Sequence, residues 1–166
     1  VEEQSTGDFS IGVGYSSLDK TSFTLGINER NFLGTGRRAS ASISTSDTST
    51  DFVLGLSQPY LFGRDITGSI DLFKTKSTAN LTAVNRTGVD LGVSFVAARD
   101  IYHRVSYKFA TSKITNTSTV ATSSTGENGK SLLKSTVAYT IGRDTRDSRF
   151  DPTEGAYAEI SETFSG

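Results

Sequence analysis

The segment Gly7-Asp8-Phe9-Ser10-Ile11-Gly12-Val13-Gly14-Tyr15-Ser16 places an apolar residue at every second position from Phe9 onward. Because a β-strand sends successive side chains to opposite faces, this order predicts a strand with one apolar face and one small polar face. Phe9, Ile11, Val13 and Tyr15 would share the apolar face. The segment therefore favours an all-β fold in which one surface of the sheet is apolar.

The same two-residue period returns along the rest of the chain. Clear repeats are found at Phe23, Leu25 and Ile27, at Phe52, Leu54 and Leu56, at Val89, Leu91, Val93 and Phe95, at Val105, Tyr107 and Phe109, and at Val137, Tyr139 and Ile141. Weaker repeats are found at Ala39, Ala41 and Ile43, at Ile66, Ile70 and Leu72, and at Ala158, Ile160 and Phe164. These segments predict about nine strands, and no stretch has a stronger helical period.

Composition removes several classes of protein. The 166 residues suit one domain, and 17 Lys and Arg against 18 Asp and Glu leave no basic surface for nucleic acid. The absence of Cys excludes a disulfide framework, a thiolate metal site and a Cys nucleophile. No run of about 18 apolar residues exists, which excludes a transmembrane helix.

The residues opposite the apolar positions indicate which kind of β-protein this is. They are mostly Ser, Gly and Thr, whereas the outer face of a soluble sheet usually carries long charged side chains. Small polar residues facing a lumen and apolar residues facing lipid are typical of an antiparallel up-and-down transmembrane β-barrel. A small autonomous barrel of about eight strands, with a structural or adhesive role, and a soluble lipocalin-like barrel that binds a ligand remain alternatives.

The predicted connections between strands alternate in chemistry. The odd connections are rich in Ser, Thr and Asn and are Leu18–Lys20, Asp47–Thr50, Ser77–Asn85 and Asn116–Lys130. The even connections carry Arg, Asp and aromatic residues and are Asn31–Gly36, Pro59–Asp65, Ala97–Asp100 and Arg143–Gly155. Alternate connections of a meander emerge on opposite sides of the sheet, so two loop chemistries predict two environments across a membrane.

Four segments resemble BamA-like outer-membrane assembly factors. Gly7 to Ser17 resembles the first barrel strand of that family. The turn after its second strand is matched by Asn31, Phe32, Gly34 and Gly36. The turn after its fourth strand is matched by Pro59, Tyr60, Phe62 and Gly63, and the turn before its ninth strand by Asp144, Arg146, Asp147, Pro152 and Gly155.

The resemblance implies a fold, a function and partners. The family barrel has sixteen strands preceded by POTRA domains, so residues 1–6 would be the tail of a POTRA linker and residues 7–166 half of the barrel. The implied function is assembly and insertion of β-barrel proteins in the outer membrane of a Gram-negative bacterium. The implied partners are unfolded outer-membrane clients, the lipid bilayer and accessory lipoproteins, and half-barrels could also associate with one another.

The first strand is the candidate binding site. An unpaired strand edge is a template for another strand, so we expect the segment Phe9-Ser10-Ile11-Gly12-Val13-Gly14-Tyr15 to bind a client strand as the edge of a lateral gate. Gly12 and Gly14 would weaken the strand and keep its pairing exchangeable. Alternatively, Gly12 and Gly14 have no special role and only make the lumen side of the barrel wall thinner, as glycines do in any barrel. A second hypothesis is membrane thinning, because these seven residues are fewer than the roughly nine to eleven of a full transmembrane strand.

No catalytic residue, metal site or cofactor is predicted. Asp144, Asp147 and Asp151 lack the ligand spacing of a calcium loop and are better read as turn residues paired with arginines. His103 is the single histidine, and no Gly-x-Ser-x-Gly elbow accompanies it. The sequence therefore predicts a protein that is not an enzyme.

Overall fold

The computed structural model describes residues 6–17, 19–79, 82–116, 131–148 and 150–166. Within these ranges, nine strands form a single sheet. They are β1 (Gly7–Ser16), β2 (Lys20–Phe32), β3 (Arg37–Ser46), β4 (Ser49–Gln58), β5 (Ile66–Ala79), β6 (Thr82–Ala98), β7 (Ile101–Asn116), β8 (Ser131–Asp144) and β9 (Tyr157–Ser165). A short 3₁₀ turn, Leu61–Gly63, precedes β5. No helix in the described ranges is long and apolar enough to cross a membrane.

Each strand pairs antiparallel with the next along the chain, in the order β1 to β9. The predicted all-β, up-and-down meander is therefore confirmed. The described sheet is open, and β1 and β9 are its two edges. It is not the closed barrel of about eight strands that remained an alternative from the sequence.

The register places the apolar positions of all strands on one face. Leu25 of β2 lies opposite both Ile11 of β1 and Ile43 of β3, and Ile43 lies opposite Phe52 of β4. A second apolar row crosses β4 to β9 through Leu56, Ile70, Leu91, Tyr107, Val137 and Phe164. No hydrophobic side chain of the described residues is buried, so the apolar face has no internal partner in this sheet. Such a surface requires an apolar environment, as the sequence pattern predicts for a sheet in lipid.

The opposite face is narrow and polar. Small residues face each other across strands, for example Gly26 opposite Ser10 and Gly92 opposite Ser69. This face also carries the ion pair of Lys108 and Asp90, whose Nζ and Oδ2 atoms are 3.1 Å apart. These residues match the predicted lumen face of a barrel wall.

Three central strands are longer than a membrane crossing needs. β5, β6 and β7 contain 14, 17 and 16 residues, whereas about nine to eleven tilted residues span a bilayer. The predicted connection Ser77–Asn85 is therefore wrong at residues 77–79 and 82–85, which belong to β5 and β6, and residues 80–81 lie outside the described residues. Thr-rich ends of this kind favour a paired strand, since β-branched side chains fit a pleated ladder. Residues 117–130 of the predicted connection Asn116–Lys130 lie outside the described residues.

Candidate functional site

The edge of β1 is the most open part of the apolar face. Val13 on β1 is 69% exposed, whereas Val105 on the central strand β7 is 40% exposed. The difference arises because Val13 has a cross-strand neighbour on one side only, Phe23 of β2. The four apolar side chains of β1 are exposed by 64–77%, so one whole flank of the strand lacks a partner in the described sheet.

The phase of the β1–β2 hydrogen bonds shows which backbone groups point outward. The N–H of Arg30 donates to the carbonyl of Thr6 at 3.0 Å, which makes Thr6 and Arg30 a hydrogen-bonded pair. Hydrogen-bonded and non-hydrogen-bonded pairs alternate along an antiparallel ladder. Even-numbered residues of β1 therefore bond to β2. The amides and carbonyls of Phe9, Ile11, Val13 and Tyr15 point away from β2, along the open edge.

The other edge of the sheet, β9, has the opposite phase. Ser135 of β8 and Gly166 exchange two backbone hydrogen bonds of 2.8 and 3.0 Å. Even-numbered residues of β9 therefore bond to β8, and the outward backbone groups belong to odd-numbered residues such as Ser161 and Thr163. These residues carry their side chains on the polar face. The two edges thus differ: the outward groups of β1 come from apolar-face residues, and those of β9 from polar-face residues.

The two edge strands also run in the same direction. Nine strands in an antiparallel meander leave the first and the ninth parallel. Direct pairing of β1 with β9 would therefore be parallel, whereas every other pair of the described sheet is antiparallel. An antiparallel partner for β1 has to come from outside this nine-stranded sheet.

β1 is longer than the sequence pattern indicated. It contains ten residues, which falls within the length of a full transmembrane strand. The short strand on which the membrane-thinning hypothesis rested is therefore wrong, because Gly7, Asp8 and Ser16 also pair with β2. An ion pair fixes the start of the strand, since Arg30 Nη2 lies 3.0 Å from Asp8 Oδ2.

The turn after β2 is built around glycines, as its motif suggests. Gly34 and Gly36 have φ angles of 71° and 72°, in the left-handed region that favours glycine. Asn31 holds both ends of the turn: its carbonyl accepts the Gly34 N–H at 2.9 Å, and its side-chain Oδ1 accepts the Gly36 N–H at 2.7 Å. The adjacent Phe32 closes β2 opposite Arg37.

The turn after β4 directs two aromatic rings outward. Tyr60 and Phe62 have φ angles of 58° and 57°, which non-glycine residues adopt uncommonly. The N–H of Gly63 donates to the carbonyl of Tyr60 at 3.1 Å and closes the turn that follows Pro59. Phe62 is 90% exposed. This turn emerges at the same end of the sheet as the turn after β2, so aromatic side chains collect at that end.

The turn before β9 is organised by Asp147. Its carboxylate accepts hydrogen bonds from the Thr153 hydroxyl at 2.6 Å and from the Glu154 N–H at 3.1 Å. These bonds, the Thr153 hydroxyl first, lower the pKa of Asp147 to about 2. Gly155 follows with a φ of 95°, and Pro152 lies between the two ends of the turn.

The structure also shows what holds two of the three aspartates that were compared with a calcium loop. Asp144 binds Arg146 through two charge-assisted contacts of 2.9 and 3.0 Å, which raise the pKa of the Arg146 guanidinium. Asp147 is engaged by the turn itself. Asp144, the last residue of β8, thus has the expected arginine partner, whereas Asp147 is held by hydrogen bonds within the turn. Within the described ranges, no group of three or more acidic or histidine side chains could hold a metal ion.

The sequence matches the Omp85 superfamily domain over residues 31–166. The chain belongs to the Omp85 superfamily. The match covers the three turn motifs, whereas β1 and most of β2 lie before it. Membership confirms the family resemblance predicted from the sequence.

The fold of this Omp85 domain is similar to that of BamA from Haemophilus ducreyi, solved without POTRA domains 1–3. The two superpose with a TM-score of 0.76 and share 18% of aligned residues. The superposition covers 99% of this chain and 35% of the other. The chain thus spans about a third of the length of the protein that it matches, and its open sheet has the fold of part of a larger barrel.

A polar network that the sequence did not reveal joins three strands of the Omp85 domain. The Tyr102 hydroxyl on β7 reaches across β8 and donates to Glu159 Oε2 on β9 at 2.5 Å, and Tyr157 donates to the same oxygen at 2.7 Å. Tyr102 passes directly over Gly142, where a side chain would collide with its ring. Arg146 lies 4.7 Å above the Tyr157 ring. The network fixes the start of β9.

His103 of the Omp85 domain lies on the apolar face with aromatic neighbours. Its Nδ1 atom is 2.7 Å from the Tyr139 hydroxyl, and its ring stacks on Phe95 with a centroid distance of 5.1 Å. These contacts link β6, β7 and β8 side by side. They account for the histidine as a cross-strand packing residue.

Proposed function

We propose that this chain takes part in the assembly of β-barrel proteins in the bacterial outer membrane, with β1 as the edge on which a client strand pairs. The observation that carries the proposal is the set of outward backbone groups on Phe9, Ile11, Val13 and Tyr15, whose side chains lie on the apolar face. Family membership supports an outer-membrane location and a role in assembly. The chain spans about a third of the length of the solved relative, so the activity of a whole assembly factor is part of the proposal.

The energetic argument rests on the solvent. In the hydrocarbon core no water replaces a missing hydrogen bond, and each unpaired backbone group costs several kcal/mol. The outward groups of β1 are therefore unfavourable in lipid until a strand pairs with them. A client strand entering the membrane has the same need. Pairing with β1 satisfies both strands and requires no ATP, cofactor or covalent step.

The β1 edge is also suited to release its partner. β1 pairs along one side only, and Gly12 and Gly14 carry no side chains that would pack against an incoming strand. The client would thus be held mainly by the backbone ladder, which any strand can provide. This favours recognition of many unfolded outer-membrane proteins rather than one.

Strand direction favours a client over a second copy as the partner. Two copies related by an axis along the membrane normal would bring β1 of one beside β9 of the other, both running the same way. Such seams would be parallel, which is a slightly less stable pairing per residue. Self-association of half-barrels is therefore the weaker alternative. The exposed aromatic side chains of the turns after β2 and β4 would anchor that end of the sheet at the lipid interface.

A matched set of proline substitutions tests the proposal. Ile11→Pro removes an outward N–H from β1 and leaves the β1–β2 ladder intact, because Ile11 does not donate to β2. Thr163→Pro removes an outward N–H from the other edge, β9, in the same manner. Each variant is inserted into lipid vesicles, and the folding rate of an unrelated small barrel added from urea is measured. Empty vesicles and vesicles with another barrel serve as controls.

We expect the unchanged chain to accelerate folding of the client and Ile11→Pro to lose most of that acceleration. One unpaired carbonyl in lipid costs several kcal/mol and 1.4 kcal/mol is tenfold, so the loss should be about tenfold or more. Thr163→Pro should behave like the unchanged chain. Equal effects of both prolines, or no acceleration by an inserted chain, would contradict the proposal.

A further inference from the structure

A groove crosses the apolar face between β2 and β4. Its floor is formed by Ala39 and Ala41 of β3, and the larger side chains of Ile27 on β2 and of Leu54 and Leu56 on β4 form its walls. The groove encloses about 500 Å³. The groove exists because Ala39 and Ala41 are smaller than the Ile and Leu side chains beside them on the neighbouring strands.

The groove has a defined length and direction. It begins beside Phe32 at the turn after β2 and does not extend to Ile43. Ile43 follows Ala39 and Ala41 on the same face of β3 and has a larger side chain. From Arg37 to Ile43 the strand rises by about 20 Å. With a strand tilt of about 40°, this corresponds to roughly one leaflet of the hydrocarbon layer. The shape suits a single acyl chain that enters from the end of the sheet with the turns after β2 and β4.

A positioned arginine lies at the mouth of the groove. Arg37 precedes Ala39 on the same face, and its Nε donates to Gln58 Oε1 at 2.6 Å. The Gln58 amide is itself fixed, since its Nε2 donates to the Pro59 carbonyl at 2.9 Å. Arg37 makes no ion pair within the described part of the chain. Its terminal nitrogens therefore remain available for an anionic group, and a guanidinium fork matches the geometry of a phosphate.

A carboxylate stands on the opposite side of the mouth. Glu29 lines the groove and lies opposite Ala39, two positions from Arg37 along β3. Glu29 and Arg37 form no salt bridge with each other. The Glu29 carboxylate is held in place by the Asn31 N–H, which donates to its Oε1 at 2.9 Å, and the mouth thus presents one cationic and one anionic group that are not paired with each other. This pattern is complementary to a headgroup that carries both a phosphate and an ammonium.

We propose that this groove binds one glycerophospholipid with a zwitterionic, primary-amine headgroup. Arg37 holds the phosphate, Glu29 receives the ammonium, and one acyl chain lies over Ala39 and Ala41. The site lies next to the client edge, because Ile27 and Glu29 of its wall pair with Phe9 and Gly7 of β1. It would hold the β2–β4 region at a fixed depth beside the first strand.

Native mass spectrometry of the full chain in detergent micelles tests the proposal, with phosphatidylethanolamine as the probe and phosphatidylglycerol as the comparison. Ala41→Leu fills the groove, and Arg37→Gln removes the phosphate partner. The matched controls are Ala158→Leu and Arg143→Gln, which alter an Ala and an Arg opposite each other on the same face of β8 and β9, outside the groove. Circular dichroism confirms that each variant is folded.

We expect one phosphatidylethanolamine molecule per chain, bound at least tenfold more tightly than phosphatidylglycerol. Ala41→Leu and Arg37→Gln should each weaken this binding about tenfold, and the two controls should leave it unchanged. The proposal is overturned if the controls weaken binding as much as the groove variants do. It is also overturned if the two lipids bind equally or if no defined stoichiometry is found.

Discussion

Two adjacent residues of β7 provide a direct test of which face meets lipid. Val105 lies on the apolar face between Val93 and Tyr139, and Ser106 lies on the polar face between Gly92 and Ala138. Val105→Arg and Ser106→Arg introduce the same charge one residue apart. The small neighbours of Ser106 leave room for a long side chain. The two variants therefore differ in the environment of the guanidinium rather than in local packing.

The magnitude follows from the depth of Val105. It is four residues from the start of β7, about 13 Å along the strand, and a tilt of about 40° places it roughly 10 Å into an apolar band about 25 Å tall. An arginine facing lipid near the midplane costs about 2–4 kcal/mol. Ser106→Arg, which faces a wet lumen, should cost less than about 1 kcal/mol, as most surface substitutions do.

Urea titration in lipid vesicles measures the difference. Because the chain has no Trp, circular dichroism of the strands is the suitable signal. For a difference of about 2–3 kcal/mol and a slope of about 2 kcal/mol per molar urea, Val105→Arg should lower the unfolding midpoint by about 1 M or more relative to Ser106→Arg. Equal midpoints for the two variants would refute the assignment of the faces, and a larger loss for Ser106→Arg would reverse it.

Two further predictions concern the turn before β9 and the network beside it. Since the pKa of Asp147 is lowered to about 2 by the Thr153 hydroxyl and neighbouring amides, its contribution to the folded turn is complete above about pH 5 and is lost as the pH falls from about 4 to 2. Carboxyl chemical shifts should show that low titration, and Thr153→Val should raise it; a titration near 4 in the unchanged chain would contradict the hydrogen bonds. Gly142→Ala should destabilise the sheet by about 1–3 kcal/mol in the same urea assay, because the new methyl group collides with Tyr102 and separates it from Glu159. Tyr102→Phe keeps the ring and should cost less, so a larger loss for Tyr102→Phe would argue against the steric explanation.

The sequence was sufficient for the faces of the sheet because the side-chain period of a strand is fixed at two. Alternation at Phe9, Ile11 and Val13 could therefore be extended to every strand without knowing which strands pair. The turns could also be predicted from the sequence, because their hydrogen bonds join residues that are close along the chain. Gly34 and Gly36 adopt the left-handed angles that their motif suggests, and Asn31 bonds within six residues of itself.

Features that depend on pairing could not be predicted. The Ile11 amide points outward because the even-numbered residues of β1 are the ones that bond to β2. The alternation of side chains does not reveal whether the odd or the even residues form those bonds. The contact of Tyr102 with Glu159 joins residues 57 positions apart. The sequence predicts a loop at the ends of β5 and β6 because Ser, Thr and Asn suit loops as well as polar strand ends. In each case the deciding partner lies on another strand.

The edge phase also defines how a client would be placed under the proposed function. Residues directly opposite each other in an antiparallel pair share a face, so client residues that bond to Phe9, Ile11, Val13 and Tyr15 would carry lipid-facing side chains. A shift of one residue would turn every apolar side chain of the client toward the lumen, whereas a shift of two would restore the pattern. β1 would therefore accept an amphipathic strand in registers two residues apart. That tolerance allows one edge to receive strands of different sequences, and it allows a bound strand to move along β1 in steps of about 7 Å without exposing its polar face to lipid.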